Sequence, residues 1–172
     1  MYNNQVDKNS LESVFELSQA ERDAIEQEKA HYEDVRAVAI EALKIVQKYR
    51  GWISDNAIIA IAMLLDIPSS DLEEIATFYS QIFRKPVGSH IIRYCDSVVC
   101  YITGYQCNKQ LLEKMLDIQS GQTTKDGLFT LLPTCCLGNC DKSPVMMIDN
   151  KTYTNVKIQD IALLLEKYKK NK

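Results

Sequence analysis

Two tight cysteine pairs, each at the end of a short apolar run, constrain this chain more than any other feature. Cys95 and Cys100 form a C-x4-C pair, and Cys136 and Cys140 form a C-x3-C pair. If the two apolar runs are neighbouring strands, the loops that follow them converge at one end of a sheet. That end is where open α/β sheets place ligands. The chain is thus expected to bring four thiols together.

The stretches around these pairs read as follows. Strand-like runs are predicted at His90–Tyr94, Leu128–Leu132, Val145–Ile148 and near Thr152–Val156, the second closed by Pro133. Leu111, Leu112, Met115 and Leu116 mark a helix between the first two. Ile158, Ile161, Ala162, Leu165 and Tyr168 mark a final helix.

Ahead of these the period is helical. Ser18 is placed to cap a first helix through Glu21, Glu26 and Glu28. Val35, Val38, Ala42, Ile45 and Tyr49 form one apolar face, closed by Gly51. Ser54 opens a third helix with Ile58, Ile61, Ala62 and Leu65, and the chain breaks at Asp66 before Pro68. Ser70 and Glu73 are expected to form a capping box for a fourth helix through Ile75, Phe78, Tyr79 and Phe83. Arg84–Gly88, with Pro86 and Gly88, reads as a linker. The predicted class is α+β: an N-terminal helical bundle over 1–87 and an α/β domain over 88–172.

Charge follows the same division. Met1–Val87 carries nine Lys and Arg against fifteen Asp and Glu, a net −6, while the remainder carries +3. An acidic front half argues against nucleic acid as a partner. Ser54–Leu65 followed by Ser70–Arg84 has a helix-turn-helix outline, but Asp71, Glu73 and Glu74 would repel phosphates. The longest apolar stretch, Ala57–Leu65, is too short to span a bilayer. Met1–Ser10 is polar and poor in Arg, so a reducing cytoplasmic compartment is expected. There, cysteine pairs serve as ligands or redox thiols more often than as structural disulfides.

No C-x-x-C spacing occurs, which removes the thioredoxin-type dithiol. The two histidines, His31 and His90, read as surface or packing residues and not as Rieske ligands. Four thiolates suit structural zinc in a tetrahedron or an iron–sulfur cluster. Spacing leaves both open.

At these residues the chain resembles a known family. Cys-Asp-Ser-Val-Val-Cys at 95–100, Leu-Pro-Thr-Cys-Cys-Leu-Gly-Asn-Cys-Asp at 132–141, and Pro144 are similar to the thioredoxin-like [2Fe-2S] subunit of complex I, the E-type subunit of bacterial NADH-quinone oxidoreductase. Ala76–Tyr79 and Lys85–Gly88 agree, and the likeness runs from Ser18 to Lys169. The resemblance implies a thioredoxin-like fold for the second half. It implies a [2Fe-2S] cluster on Cys95, Cys100, Cys136 and Cys140, with no ligand role for Cys107 or Cys135. It further implies an NADH- and FMN-binding flavoprotein subunit and other peripheral-arm subunits as partners. The chain would then exchange one electron with the flavin at the cytoplasmic face of the inner membrane, without inserting into it. A zinc-binding interaction subunit without a redox role is the alternative.

Three residues are expected to support the second loop. Gly138 supplies backbone freedom, Asn139 takes a left-handed conformation, and Pro144 directs the exit into the next strand. N–H donors toward the cluster are expected around Gly138, Asn139 and Gly104. Asp96 and Asp141 are expected to face solvent or cap turns. The chain lacks a G-x-G-x-x-G motif, so NADH oxidation is not expected from it alone.

Overall fold

The structure, a computed structural model, describes residues 15–170. The reading on Met1–Ser10 lies outside the described residues. The chain divides between Lys85 and Pro86 into two compact units.

The first unit is helical: α1 (Gln19–Lys29), α2 (Val35–Arg50), α3 (Asp55–Leu65) and α4 (Ser69–Phe78). Local chemistry sets each start. The Ser18 hydroxyl accepts the Glu21 N–H at 3.3 Å, and the Glu21 carboxylate accepts the Ser18 N–H at 2.7 Å, a reciprocal cap. Side chains of Asp34 and Ser54 likewise accept N–H groups at the starts of α2 and α3. Gly51 (φ 83°) and Asp66 (φ 54°) end those helices in the left-handed region. Leu43, Val46, Ile61 and Leu72 are fully buried in one apolar core.

Glu21 is buried and holds the Arg50 guanidinium at 2.5 and 2.6 Å. That hydrogen bond holds the Glu21 carboxyl below its ordinary pKa. Glu21→Gln is expected to destabilise the unit by about 2 kcal/mol. This is less than the ~3–5 kcal/mol for breaking a fully buried pair, because the Arg50 side chain stays 31% exposed. A depressed carboxylate pKa stabilises the fold above its ordinary value of 4.5 and loses that stabilisation as pH falls through the lowered value. The gap between wild type and variant should therefore close in acid, which urea unfolding on either side of pH 4.5 measures.

Two expectations about α4 are corrected. The helix starts at Ser69 with Pro68 at its cap, and no side chain caps it. Ser70 turns to the Asp71 carboxylate instead, at 3.4 Å, because proline's fixed φ already sets the first turn. The helix also stops at Phe78, so Phe83 lies beyond it. Phe78 and Tyr79 are exposed and do not join the core. The following segment is pinned by side chains. Gln47 accepts the Phe83 N–H at 2.6 Å and donates to the Gln81 carbonyl at 2.8 Å. Arg84, expected in the linker, reaches Asp55 and Glu73, each at 2.7 Å, and the Ile53 carbonyl.

The second unit contains β1 (His90–Cys95), α5 (Val98–Ile102), α6 (Tyr105–Leu116), β2 (Phe129–Thr134), a 3-10 turn (Cys140–Lys142), β3 (Met146–Ile148), β4 (Lys151–Tyr153) and α7 (Ile158–Lys169). The sheet order is β2-β1-β3-β4. β1 and β2 are parallel, and the other pairs are antiparallel. Ile92, Leu131 and Ile148 of the sheet share one core with Leu112 of α6 and Ile161 and Leu165 of α7. Asn108 is buried on α6 and donates to the Val156 carbonyl at 2.9 Å, tying that helix to the approach of α7.

β2 runs through Pro133 to Thr134 and does not stop where proline was expected to close it. Because β2 is an edge strand, the absent N–H leaves no ladder partner unpaired. The fourth strand is shorter than expected and ends at Tyr153. The short helix α5 has no counterpart among the predicted elements.

Candidate metal centre

The parallel pairing of β1 with β2 carries both cysteine loops to one end of the sheet. Cys95 is the last residue of β1 and sits in register with Thr134, the last of β2. Its N–H donates to the Val145 carbonyl at 3.1 Å, and the next N–H, of Asp96, donates to the Thr134 carbonyl at 3.1 Å. Cys95 is thus held from both sides by neighbouring backbone.

The first loop turns into α5. Cys100 is the buried residue of that short helix, and it packs with Cys95 and Val145. The remaining four side chains, Val98, Val99, Tyr101 and Ile102, point outward and are exposed. The sequence does contain a signal for this helix: Asp96 and Ser97 ahead of an apolar run, with Gly104 behind it. Gly104 (φ 91°) redirects the chain into α6. There the Tyr105 ring stacks on Tyr94 of β1, 5.6 Å between centroids.

The second loop folds more openly. Cys135, Cys136 and Cys140 are exposed, and the Cys136 and Cys140 sulfurs are 3.2 Å apart. Gly138 adopts φ 83°, and its N–H points to the Cys136 sulfur at 3.4 Å. Asn139 differs from expectation. Its φ is −107°, and its amide donates to the Leu137 carbonyl at 3.3 Å. Glycine alone takes the left-handed turn here, which frees Asn139 to bridge the loop. Pro144 follows a cis peptide bond, and its carbonyl accepts the Val156 N–H at 3.1 Å. Of the expected donors, Gly138 faces a sulfur. The Gly104 N–H is instead used by the Tyr101 carbonyl at 3.1 Å.

The four thiols sense one another. Burial pushes the Cys100 thiol up to about 11, and Cys95 adds to that rise. The Gly138 N–H, and then the Cys140 thiol, lower Cys136. Donating to Cys136 raises Cys140, to which Cys95 and the exposed Asp141 add their charge. Cys95 therefore acts on all three of the others. Asp96 is also exposed. Cys107 is exposed on α6, His31 is exposed, and His90 pairs with Asp149 at 2.8 Å.

This donor set fits a binuclear sulfide-bridged cluster. Two thiol pairs come from two adjacent loops, with an N–H dipole aimed at a sulfur to offset negative charge. No helix among the described residues is long and apolar enough to cross a membrane.

Comparison with known proteins agrees. Residues 25–169 match the family model of the thioredoxin-like [2Fe-2S] ferredoxins. The E-type subunit of NADH-quinone oxidoreductase from Salmonella typhimurium is 68% identical over 156 residues, covering 91% of this chain and 94% of that protein. Its Escherichia coli counterpart is 67% identical over the same length and coverage. That of Pseudomonas aeruginosa is 61% identical over 154 residues, covering 90% and 93%. Among solved structures, a chain of an NAD+-reducing [NiFe]-hydrogenase shares the fold, with a TM-score of 0.62 at 23% identity. That likeness covers 80% of this chain but only 23% of the hydrogenase chain. The chain belongs to the E-type subunit family of NADH-quinone oxidoreductase, thioredoxin-like ferredoxins whose cofactor is a [2Fe-2S] cluster.

Proposed function

We propose that this chain is an electron-transfer subunit of complex I, in which Cys95, Cys100, Cys136 and Cys140 hold the [2Fe-2S] cluster. When bound, the cluster supplies one-electron redox chemistry beside a flavin that receives electrons from NADH in pairs. The observation that carries the reading is the register of Cys95 with Thr134, which delivers both loops to one end of the sheet. The cluster belongs to the second unit on this reading, and the helical unit helps dock the chain to its neighbours.

The chain's own residues contribute three things. The β1 and β2 ends hold Cys95 through backbone hydrogen bonds. The Gly138 N–H lowers the energy of negative charge on the Cys136 sulfur. The outward side chains of α5 give an apolar surface directly over Cys100. Electron exchange needs a partner close to the centre, so this surface is where the flavoprotein subunit, carrying FMN, is assigned to dock. The complex would work as an NADH:quinone oxidoreductase and translocase in the peripheral arm, at the cytoplasmic face of the membrane. The isolated chain would not oxidise NADH.

Low-temperature EPR of the anaerobically purified chain tests the reading. Silence when oxidised and a rhombic spin-half signal after dithionite are expected. A colourless protein that binds zinc, and that stays silent in both states after reconstitution with iron and sulfide, would replace the redox role with a structural one.

A further inference from the structure

The two cysteine pairs differ sharply in access. Cys95 and Cys100 are 1% and 2% exposed, packed against Val145. Cys136 and Cys140 are exposed, with their sulfurs 3.2 Å apart. The other two cysteines are poorly placed to bond Cys136. Cys107 lies apart on α6. Cys135 is next to Cys136, and consecutive Cα atoms about 3.8 Å apart fall short of the ~4.4–6.8 Å that disulfides span.

We propose that, before the cluster is bound, Cys136 and Cys140 form a thiol–disulfide exchange site for a small-molecule disulfide, and that the internal disulfide they close withholds both sulfurs from the cluster. The second clause rests on the reading of both residues as ligands. In the first step Cys136, as thiolate, attacks one sulfur of the small disulfide. That S–S bond breaks, and the leaving thiolate takes up the proton Cys136 gave up. In the second step the Cys140 sulfur attacks the Cys136 sulfur of the mixed disulfide and releases the second small thiol with the Cys140 proton. Two protein thiols are oxidised by two electrons, and one small disulfide is reduced to two thiols.

Three features of the loop favour this product. The left-handed Gly138 curls the loop so that sulfurs four residues apart meet. The Gly138 N–H points at the attacking sulfur. Burial shields Cys95 and Cys100 from the small oxidant. The disulfide is reversible, so it also spares exposed thiols from irreversible oxidation while they await the cluster.

The experiment uses the full chain, purified free of cluster under reductant, desalted and exposed to oxidised glutathione. Alkylation and peptide mass mapping follow the thiols, and far-UV circular dichroism follows the fold. The cores of both units lie outside the cysteine loops, so the fold should persist. The peptide holding Cys136 and Cys140 is expected to lose two hydrogens. It should do so at least about tenfold faster than Cys95 or Cys100 lose reactivity to alkylation. Cys140→Ser is expected to stop at one glutathione on Cys136. The oxidised chain should accept no cluster from [2Fe-2S]-loaded glutaredoxin without reductant, and should regain uptake once a dithiol is added.

Failure of the pair to close, or a first disulfide at Cys95, Cys100 or Cys135, overturns the proposal. If Cys136→Ser then still loses its EPR signal, the ligand assignment stands alone. A closed Cys136–Cys140 disulfide with undiminished uptake would instead overturn the ligand reading and, with it, the withholding of the cluster.

Discussion

Cys136→Ser is expected to lower cluster occupancy by more than about tenfold, whereas Cys135→Ser leaves it unchanged. Outer partners of a metal site alone are worth ~10–100-fold in affinity, so loss of a direct thiolate should exceed that range's lower end. The two residues are neighbours, both exposed, and chemically identical. What separates them is the loop. Cys136 receives the Gly138 N–H and lies 3.2 Å from the Cys140 sulfur. The pKa of Cys136 is lowered by that N–H first and by Cys140 second. A ligand must be deprotonated, so the Gly138 N–H, which stays available when Cys140 is also a thiolate, favours the bound state. Iron and labile sulfide analysis, with EPR of the reduced protein, reads both variants. A full signal from Cys136→Ser would transfer the ligand role to Cys135. Neither change should alter stability by more than ~0.5 kcal/mol in the cluster-free chain, as for other exposed positions.

The double change Tyr101→Asp with Ile102→Asp is expected to weaken association with the proposed flavoprotein partner by at least about 100-fold, equivalent to ~2.7 kcal/mol. Central aromatic and aliphatic anchors commonly carry about 2 kcal/mol or more each, and a buried carboxylate adds a desolvation penalty. Tyr101 is 58% and Ile102 77% exposed, so neither is needed for the unit's core. Cys100, on the same short helix, faces inward and should keep its place. The variant is therefore expected to retain its reduced EPR signal while losing co-purification with the flavoprotein subunit. Unchanged association would move the docking surface away from α5. Loss of the EPR signal would show that α5 itself had been disturbed.

Much of the architecture was legible because its determinants are local. Ser18 with Glu21, Ser54, Gly51 and Asp66 mark helix ends through hydrogen bonds and backbone conformations that span a few residues. The alternation of Ile92, Tyr94, Leu131 and Ile148 into one core follows from strand period. Where local rules compete, reading failed. Ser70 and Glu73 have capping-box spacing, yet Pro68 takes the cap position two residues earlier. Asn139 is a residue that tolerates positive φ, yet Gly138 beside it takes that role without steric penalty. α5 escaped notice because five residues carry too little period to register, and its apolar side chains face outward.

The sequence by itself determined the donor inventory: four cysteines in two close pairs, each behind a strand, with a glycine in the second loop. Spacing is a property of the chain, and it needs no fold to be read. Tertiary structure decided which strands are neighbours and therefore that the pairs meet. β1 lies between β2 and β3, a placement that depends on contacts between residues tens of positions apart. It also decided the asymmetry of the site, with Cys95 and Cys100 buried and Cys136 and Cys140 open. Burial is set by what packs around a side chain, and that is fixed only when the sheet, α5 and the second loop are assembled together.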